Sequence, residues 1–296
     1  MTPTLGIIVV NWNRKIDTLR CIVSVRASTY RDWELLIVDN ASSDGSVAAI
    51  QSQFPDVTII QTEKNLGFTG GNNVGLNRFV AREIPLILLL NNDAVLAPDA
   101  LEQLVAVADQ QPTFDFFGAQ ICSIDDCQTI LSAGGTLHNG WEPSHGGQLD
   151  NMQPHEVQFL SGCALMVRNR AISQIGGLAD DYFLYYEDVD WCYRALQAEM
   201  RLMIVPQSVV YHPDTRARDE LSAHVTYYAA RNSLLFAKIN RLAWRTRWKI
   251  WRRHLQMAVS WTLKPRWRHK RAQRDALLLA LFDYMRGRTG MKGETS

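Results

Sequence analysis

Through the first 110 residues, short apolar runs alternate with stretches of helical spacing, and no other feature limits the fold of this chain as strongly. Residues 5–10, 34–38, 57–61 and 86–90 are rich in Ile, Val and Leu and end in polar turns, as buried strands do. Between them, 15–27, 46–54 and 73–81 carry helix-like spacing, and 98–109 opens with a helix-initiating Pro98-Asp99. Strand–helix–strand alternation with short loops implies a doubly wound α/β fold, a mostly parallel sheet flanked by helices. Such sheets bind ligands where the carboxyl ends of strands meet their loops. Three of the strands end at once in polar residues: Asn11-Trp12-Asn13, Asp39-Asn40 and Asn91-Asn92-Asp93. Three polar ends on one rim favour a site over three unrelated turns.

Downstream the pattern changes. Residues 123–157 dissolve into Gly, His, Pro and Asn, too long for a mere connector and read as a functional loop region or small insertion. Residues 158–168 then read as strand, Gly176-Gly177 as a turn, 187–199 as helix, and 201–211 as strand interrupted by Pro206.

Charge separates the chain into two parts. Residues 1–237 hold 15 Lys/Arg against 27 Asp/Glu, whereas 238–274 hold 13 Lys/Arg and no acid. That second stretch also carries five of the nine tryptophans. Trp244, Trp248 and Trp251 follow i, i+4, i+7 spacing with Arg and Lys between them, which describes a helix with an aromatic stripe and a basic flank. An acidic body thus carries a basic helical extension. Three readings of it compete: a helix on an anionic membrane surface, a nucleic-acid contact, and plain packing on the body. The acidic body and the lack of a nucleic-acid motif weigh against nucleic acid. The apolar run from Leu5 is too short for a signal peptide or a membrane span, and no other run approaches the required length, so a soluble or peripheral protein is expected. Five scattered cysteines without a secretory signal read as reduced thiols of a cytosolic compartment.

Several segments carry possible chemistry. Asn91-Asn92-Asp93 projects Asp93 beyond the sheet edge, where a hard cation needs few protein oxygens if phosphate oxygens supply the rest. The same tripeptide also makes an ordinary turn. Residues 65–73, Asn-Leu-Gly-Phe-Thr-Gly-Gly-Asn-Asn, follow a strand and open a helix. Their glycines let the backbone approach a ligand, and a helix N-terminus favours negative charge. The stretch Tyr185-Tyr186-Glu187-Asp188-Val189-Asp190 opens a helix with three acids, more than capping needs. A hydroxyl nucleophile at neutral pH needs such a carboxylate, or an imidazole, to accept its proton. His212 closes a strand and could supply an imidazole to the same cation.

Together these motifs, with Val38-Asp39-Asn40-Ala41-Ser42-Ser43-Asp44, Ser161-Gly162 and Val210-Tyr211-His212, resemble in order those of family 2 glycosyltransferases. The resemblance spans residues 4–240 and is strongest to the rhamnosyltransferase-like branch used in bacterial surface polysaccharide (O-antigen) assembly. It implies a GT-A fold over 1–237, with a donor-binding half to about 122 and an acceptor-side half over 123–237, followed by the extension 238–296. It implies inversion at the anomeric carbon and a divalent cation, Mg²⁺ or Mn²⁺. By resemblance Asp39 holds the donor's base beside Asn11 and Asn13, while Asn65, Gly70, Gly71 and Asn92 flank the nucleotide. Asp93 and His212 hold the metal, and Asp188 is the catalytic base with Glu187 beside it. Asn91 stands where the family's Asp-X-Asp has its first Asp, so metal affinity without donor is expected to be modest.

The implied donor is dTDP-L-rhamnose, with a UDP-hexose or a galactofuranosyl donor as alternatives. The implied acceptor is a saccharide or a polyprenyl-linked saccharide at the cytoplasmic face of the cell membrane. The loop 123–157, with His138, Trp141, His145 and His155, is expected to face the acceptor. A non-catalytic sugar-nucleotide-binding module and a nucleotidyltransferase are the rivals; the absence of a basic Gly-rich N-terminal loop weakens the second.

Overall fold

A computed structural model describes residues 3–146, 152–214 and 222–293. Residues 147–151 of the loop expected to face the acceptor lie outside the described residues. Four parallel strands form one half of the sheet: β1 (Leu5–Asn11), β2 (Trp33–Asp39), β3 (Thr58–Gln61) and β4 (Leu86–Asn91), in the order β3-β2-β1-β4. Helices α1 (Lys15–Arg26), α2 (Ser46–Gln53) and α3 (Gly67–Ala81) make the crossovers. Alternate residues serve opposite cores. Ile8, Leu36 and Leu89 pack on one face, and Ile7, Ile37 and Leu88 on the other. A sheet covered on both faces needs strands that are apolar throughout, which is why these four were legible as apolar runs.

The other half is mixed. After the short β5 (Val95–Leu96) and α4 (Ala100–Gln110) comes β6 (Phe116–Ser123), followed by β7 (Ile130–Ser132). The hairpin β8 (Leu137–His138) and β9 (Glu142–Pro143) stands apart, and β10 (His155–Val157) forms the sheet edge. β11 (Ala164–Arg168) runs antiparallel between β4 and β6 and leads into α5 (Asn169–Ile175). After α6 (Glu187–Gln197), β12 (Leu202–His212) lies parallel to β6. Pro206 falls where the β12 register shifts between Val205 and Val209, a bulge that absorbs its missing N–H. The full order, β10-β12-β6-β11-β4-β1-β2-β3, is the expected doubly wound, mostly parallel sheet flanked by helices.

Two sequence expectations need correction. The helix expected over 73–81 starts earlier: α3 begins at Gly67, so Gly70 and Gly71 sit in its first turns. Asn65 Oδ1 accepts the Gly67 N–H at 2.8 Å, and the missing side chain at 71 lets the helix lie on β1. A Cβ there would stand 2.7 Å from Val10 Cγ1. The strand expected over 158–168 shrinks to β11, because Ser161 and Gly162 turn the chain. The central strand β6, buried along its whole length, lies in a stretch where Gly118 and Gln120 break the apolar run.

The C-terminal helices α7 (Ala223–Ile239), α8 (Trp244–Leu263) and α9 (Arg271–Met285) pack on one another and on the face of α6. α8 turns Ile250, His254 and Ala258 inward. The expected tryptophan stripe divides: Trp251 lies 5.7 Å from the Tyr284 ring, whereas Trp244 and Trp248 are exposed. Asp190, fully buried, ties the layers together, accepting from Tyr182 Oη (3.0 Å), Arg194 Nε (2.7 Å) and Asn240 Nδ2 (2.7 Å).

Candidate active site

The carboxyl ends of β1 and β2 are in register, so Asn11 stands beside Asp39. Asn11 Nδ2 donates to Asp39 Oδ1 at 2.6 Å and to Ser42 Oγ at 3.1 Å, and its Oδ1 accepts from Thr18 Oγ1 at 2.8 Å. Asp39, 1% exposed, also accepts the Ser42 N–H on Oδ2 at 2.9 Å. Asn13, with φ of +51°, braces the facing loop: its N–H donates to Ser42 Oγ (2.9 Å), and its Oδ1 accepts the Ser43 N–H (2.8 Å). Asn92 Nδ2 donates to Thr18 Oγ1 at 3.1 Å, which completes a chain Asn92–Thr18–Asn11–Asp39 along the rim. Asn11 therefore acts on Asp39 by orienting it. Thr18 was not singled out from the sequence, where a threonine in an early helical turn carries no signal.

Asn40 Nδ2 reaches the Gly67 carbonyl at 2.8 Å, joining this rim to the start of α3. A cleft of about 370 Å³ opens there, lined among others by Trp12, Asn40, Asn65 and Asn92. Gly70 and Gly71 are not among its lining residues; Gly71 is buried against β1 and serves helix packing.

Asp93 and His212 meet because the chain after β4 doubles back. β5 pairs antiparallel with β12, Val95 opposite Tyr211, which brings the preceding Asp93 to the end of β12. His212 Nε2 lies 3.1 Å from Asp93 Oδ1 and 3.4 Å from Asn91 Nδ2. Its Nδ1 is 2.9 Å from the Pro213 carbonyl, a contact that sets a proton on Nδ1 and turns Nε2 toward Asp93, where it donates to the carboxylate while the ring is charged and becomes a ligand nitrogen once that proton leaves. Burial alone would raise the Asp93 carboxyl, but the hydrogen bond and charge of His212 together hold it below the usual range. Burial alone would lower His212, and Asp93 raises it above the ordinary imidazole value. No group of three or more His, Cys, Asp or Glu is placed to bind a metal among the described residues. One carboxylate and one imidazole nitrogen fit a divalent cation whose other positions are filled by phosphate oxygens and water.

The acidic motif reaches the same rim through β11. Antiparallel pairing sets Ala164 opposite Leu90, and the Asn91 N–H donates to the Cys163 carbonyl at 2.9 Å. The neighbouring Gly162 N–H donates to Asp188 Oδ2 at 3.1 Å, and Val189 N–H to Oδ1 at 2.8 Å. The approach to Asp188 is strained, with φ of +66° at Phe183, +65° at Tyr185 and +77° at Tyr186, all bulky residues that disfavour this region. Burial raises the Asp188 carboxyl; the Gly162 N–H and the charge of His145 offset part of the rise. Glu187, 6% exposed and with Oε2 unpartnered, is pushed well above the carboxylate range by burial and then by Asp188. The Tyr185 phenol is raised by burial and then by the charges of Glu187 and Asp93.

Of the loop residues expected to face the acceptor, Trp141 is instead core, 6% exposed beneath α8, and its neighbour Glu142 pairs with Arg253. His145, expected to face the acceptor, lies within electrostatic reach of Asp188.

Residues 6–176 match the model described as glycosyl transferase family 2. An N-acetylglucosaminyl-diphospho-decaprenol L-rhamnosyltransferase of Mycobacterium tuberculosis is 25% identical, the match covering 89% of this chain and 90% of the relative. A low-salt glycan biosynthesis hexosyltransferase of Haloferax volcanii is 26% identical over 83% of this chain and 81% of its own. A mannosyltransferase from Pyrobaculum calidifontis, solved with GDP-Man and Mn²⁺, superposes with a TM-score of 0.59 at 15% identity, covering 96% of this chain and 88% of that one. Staphylococcus aureus TarS superposes with a TM-score of 0.60 at 15% identity, covering 96% and 49%.

Proposed function

The chain belongs to glycosyltransferase family 2, and on that premise we propose that it is an inverting transferase that moves L-rhamnose from dTDP-L-rhamnose onto a saccharide or polyprenyl-linked saccharide. One observation carries the reading: three strand ends and the Gly162 turn bring Asp39, the Asp93–His212 pair and Asp188 to one rim of the sheet. The buried Asp39 carboxylate, with acceptor positions left after its bonds to Asn11 and Ser42, suits the N3–H of thymine or uracil. The rhamnosyltransferase relative favours rhamnose over a UDP-hexose or galactofuranosyl donor.

In the reaction, Asp188 accepts the proton of an acceptor hydroxyl as its oxygen attacks the anomeric carbon. The bond to the nucleoside diphosphate breaks on the opposite face, which inverts that carbon. The Gly162 and Val189 N–H groups hold the carboxylate in place, and the buried Glu187 beside it keeps the pocket from carrying a second full charge when protonated. Asp93 and His212 would hold Mg²⁺ or Mn²⁺, which supplies positive charge to the departing diphosphate.

The catalytic unit 1–237 works at the inner face of the cell membrane, with the exposed side of the extension 238–296 as its contact to anionic lipid. No helix of the described residues is long and apolar enough to cross a membrane. Exposed Trp244 (72%) lies beside Arg245 at one end of α8, exposed Leu263 (73%) beside Lys264, Arg268 and Arg271 at the other, and exposed Phe282 on α9 beside Arg286. Apolar anchors beside lysine and arginine suit the headgroup layer.

A panel of nucleotide sugars tests the donor: transfer or slow hydrolysis is expected to be fastest with dTDP-L-rhamnose, and equal turnover of UDP-hexoses would overturn that choice. Binding without transfer to any acceptor would favour a non-catalytic module. EDTA is expected to abolish turnover and added Mn²⁺ to restore it. Co-flotation with anionic but not neutral vesicles tests the membrane contact, and failure to float at low salt would refute it.

A further inference from the structure

Beyond α9 the chain returns to the donor cleft. The guanidinium of Arg231, fully buried, donates from Nη1 to the Gly290 carbonyl at 2.7 Å and from Nη2 to the Tyr182 carbonyl at 3.1 Å. The Gly290 N–H donates to the Asp181 carbonyl at 2.9 Å, and the Lys292 N–H to Tyr228 Oη at 2.9 Å. Gly290, with φ of +69°, makes the bend that lets the tail meet both partners. The tail is thereby fastened to the 180–186 segment that leads into Asp188, and Met291 and Lys292 join Asn65 and Asn92 in lining the cleft.

The charge of that cleft is one-sided. Among the described residues none that lines it is acidic, and its basic members are Arg14, His224 and Lys292, with Arg14 also 3.5 Å from the Asp17 carboxylate at the surface. His224 is held below the usual imidazole range by burial and by the Lys292 charge, which leaves Arg14 and Lys292 as the cations near neutral pH. Arg14 comes from the rim after β1 and Lys292 from the far end of the chain, so among the described residues it is the folded tail that brings the second charge there. A cleft whose described lining is asparagines and aromatic rings with two cations and no carboxylate is matched to a polyanion carrying a flat base.

We propose that the C-terminal tail is part of the donor site, and that Lys292, with Arg14, holds the diphosphate of a nucleoside-diphosphate donor. The inference rests on the donor reading above. It makes Lys292 a binding residue for the leaving group, distinct from the Asp93–His212 pair. The tail also acts as a strap across the segment that presents Asp188, so donor binding and placement of the base share one anchor, Arg231.

The test compares the full chain with Lys292→Ala and Lys292→Arg, titrated calorimetrically with dTDP, UDP, thymidine and uridine. Lys292→Ala is expected to weaken dTDP and UDP about fivefold, the scale of one solvent-facing ion pair, and to leave thymidine and uridine unchanged. Lys292→Arg should retain most of the diphosphate affinity. Equal loss for nucleosides and diphosphates would make the tail a packing wall and overturn the proposal, as would no loss at all. Failure of the unaltered protein to bind any of the four would refute the donor reading itself, and this inference with it.

Discussion

Replacing Asp188 with Asn separates proton acceptance from fold. The carboxylate receives two backbone N–H groups, from Gly162 at 3.1 Å and Val189 at 2.8 Å. An amide has a single acceptor oxygen, so one contact is lost, which costs about 0.5–1.5 kcal/mol of stability. Against that loss, the substitution removes a negative charge beside buried Glu187, whose carboxyl Asp188 pushes up. The two effects oppose, and a thermal melt should move little. The kinetic effect is far larger: a lost general base costs about 10²–10⁴ in rate, or roughly 2.7–5.5 kcal/mol of barrier. Initial rates at saturating donor and acceptor, run beside the melt, should show kcat falling by that factor with donor KM within about twofold of its starting value. The pH profile adds a second check. Burial raises Asp188, so activity of the unaltered enzyme should fall as pH drops through a midpoint above the ordinary aspartate value of about 3.9. The residual activity of the variant should lack that acid limb. A folded Asp188→Asn enzyme with near-normal kcat, or one that keeps the limb, would refute the assignment.

Glu187→Gln should gain stability relative to the unaltered chain as pH rises. Because the folded carboxyl is raised, its contribution is fully present below the unfolded value of about 4.3 and is lost toward the raised folded value, at about 1.4 kcal/mol per pH unit. Parallel denaturation curves at several pH values read this, and a constant gap would contradict the buried-acid account. Gly71→Ala would bring a Cβ to 2.7 Å from Val10 Cγ1 and 3.0 Å from Asn40 Nδ2, an overpacking expected to cost about 1–3 kcal/mol in urea unfolding. Unchanged stability would show that α3 shifts freely on β1. Thr18→Val keeps the shape but leaves Asn11 Oδ1 and Asn92 Nδ2 short of a partner, at about 1–3 kcal/mol. Donor KM should rise severalfold with it, and a normal KM would remove Thr18 from the chain that orients Asp39.

Local pattern made much of this protein legible. The strands ending at Asn11, Asp39 and Asn91 are apolar on both faces because both faces of the sheet are covered, and a buried strand has no polar face to hide its signal. Their abrupt polar ends marked the rim, and the acids of α6 marked a candidate base. The extent of α3 was misjudged because glycines usually signal loops; here Gly71 is a packing choice that only the nearness of Val10 explains. Trp141 looked like a loop residue because its burial comes from α8, far along the chain.

What the chain determines by itself is periodicity: which segments hide two faces, where they stop, and which polar groups stand at those ends. Tertiary structure alone decided that β5 folds back on β12 to join Asp93 to His212, that Gly162 delivers an N–H to Asp188, and that Lys292 returns to the cleft. Each of those contacts joins residues far apart in sequence. The physical reason is that such contacts depend on strand order and helix packing, which are set by how whole surfaces fit and leave no periodic trace in the residues that finally meet.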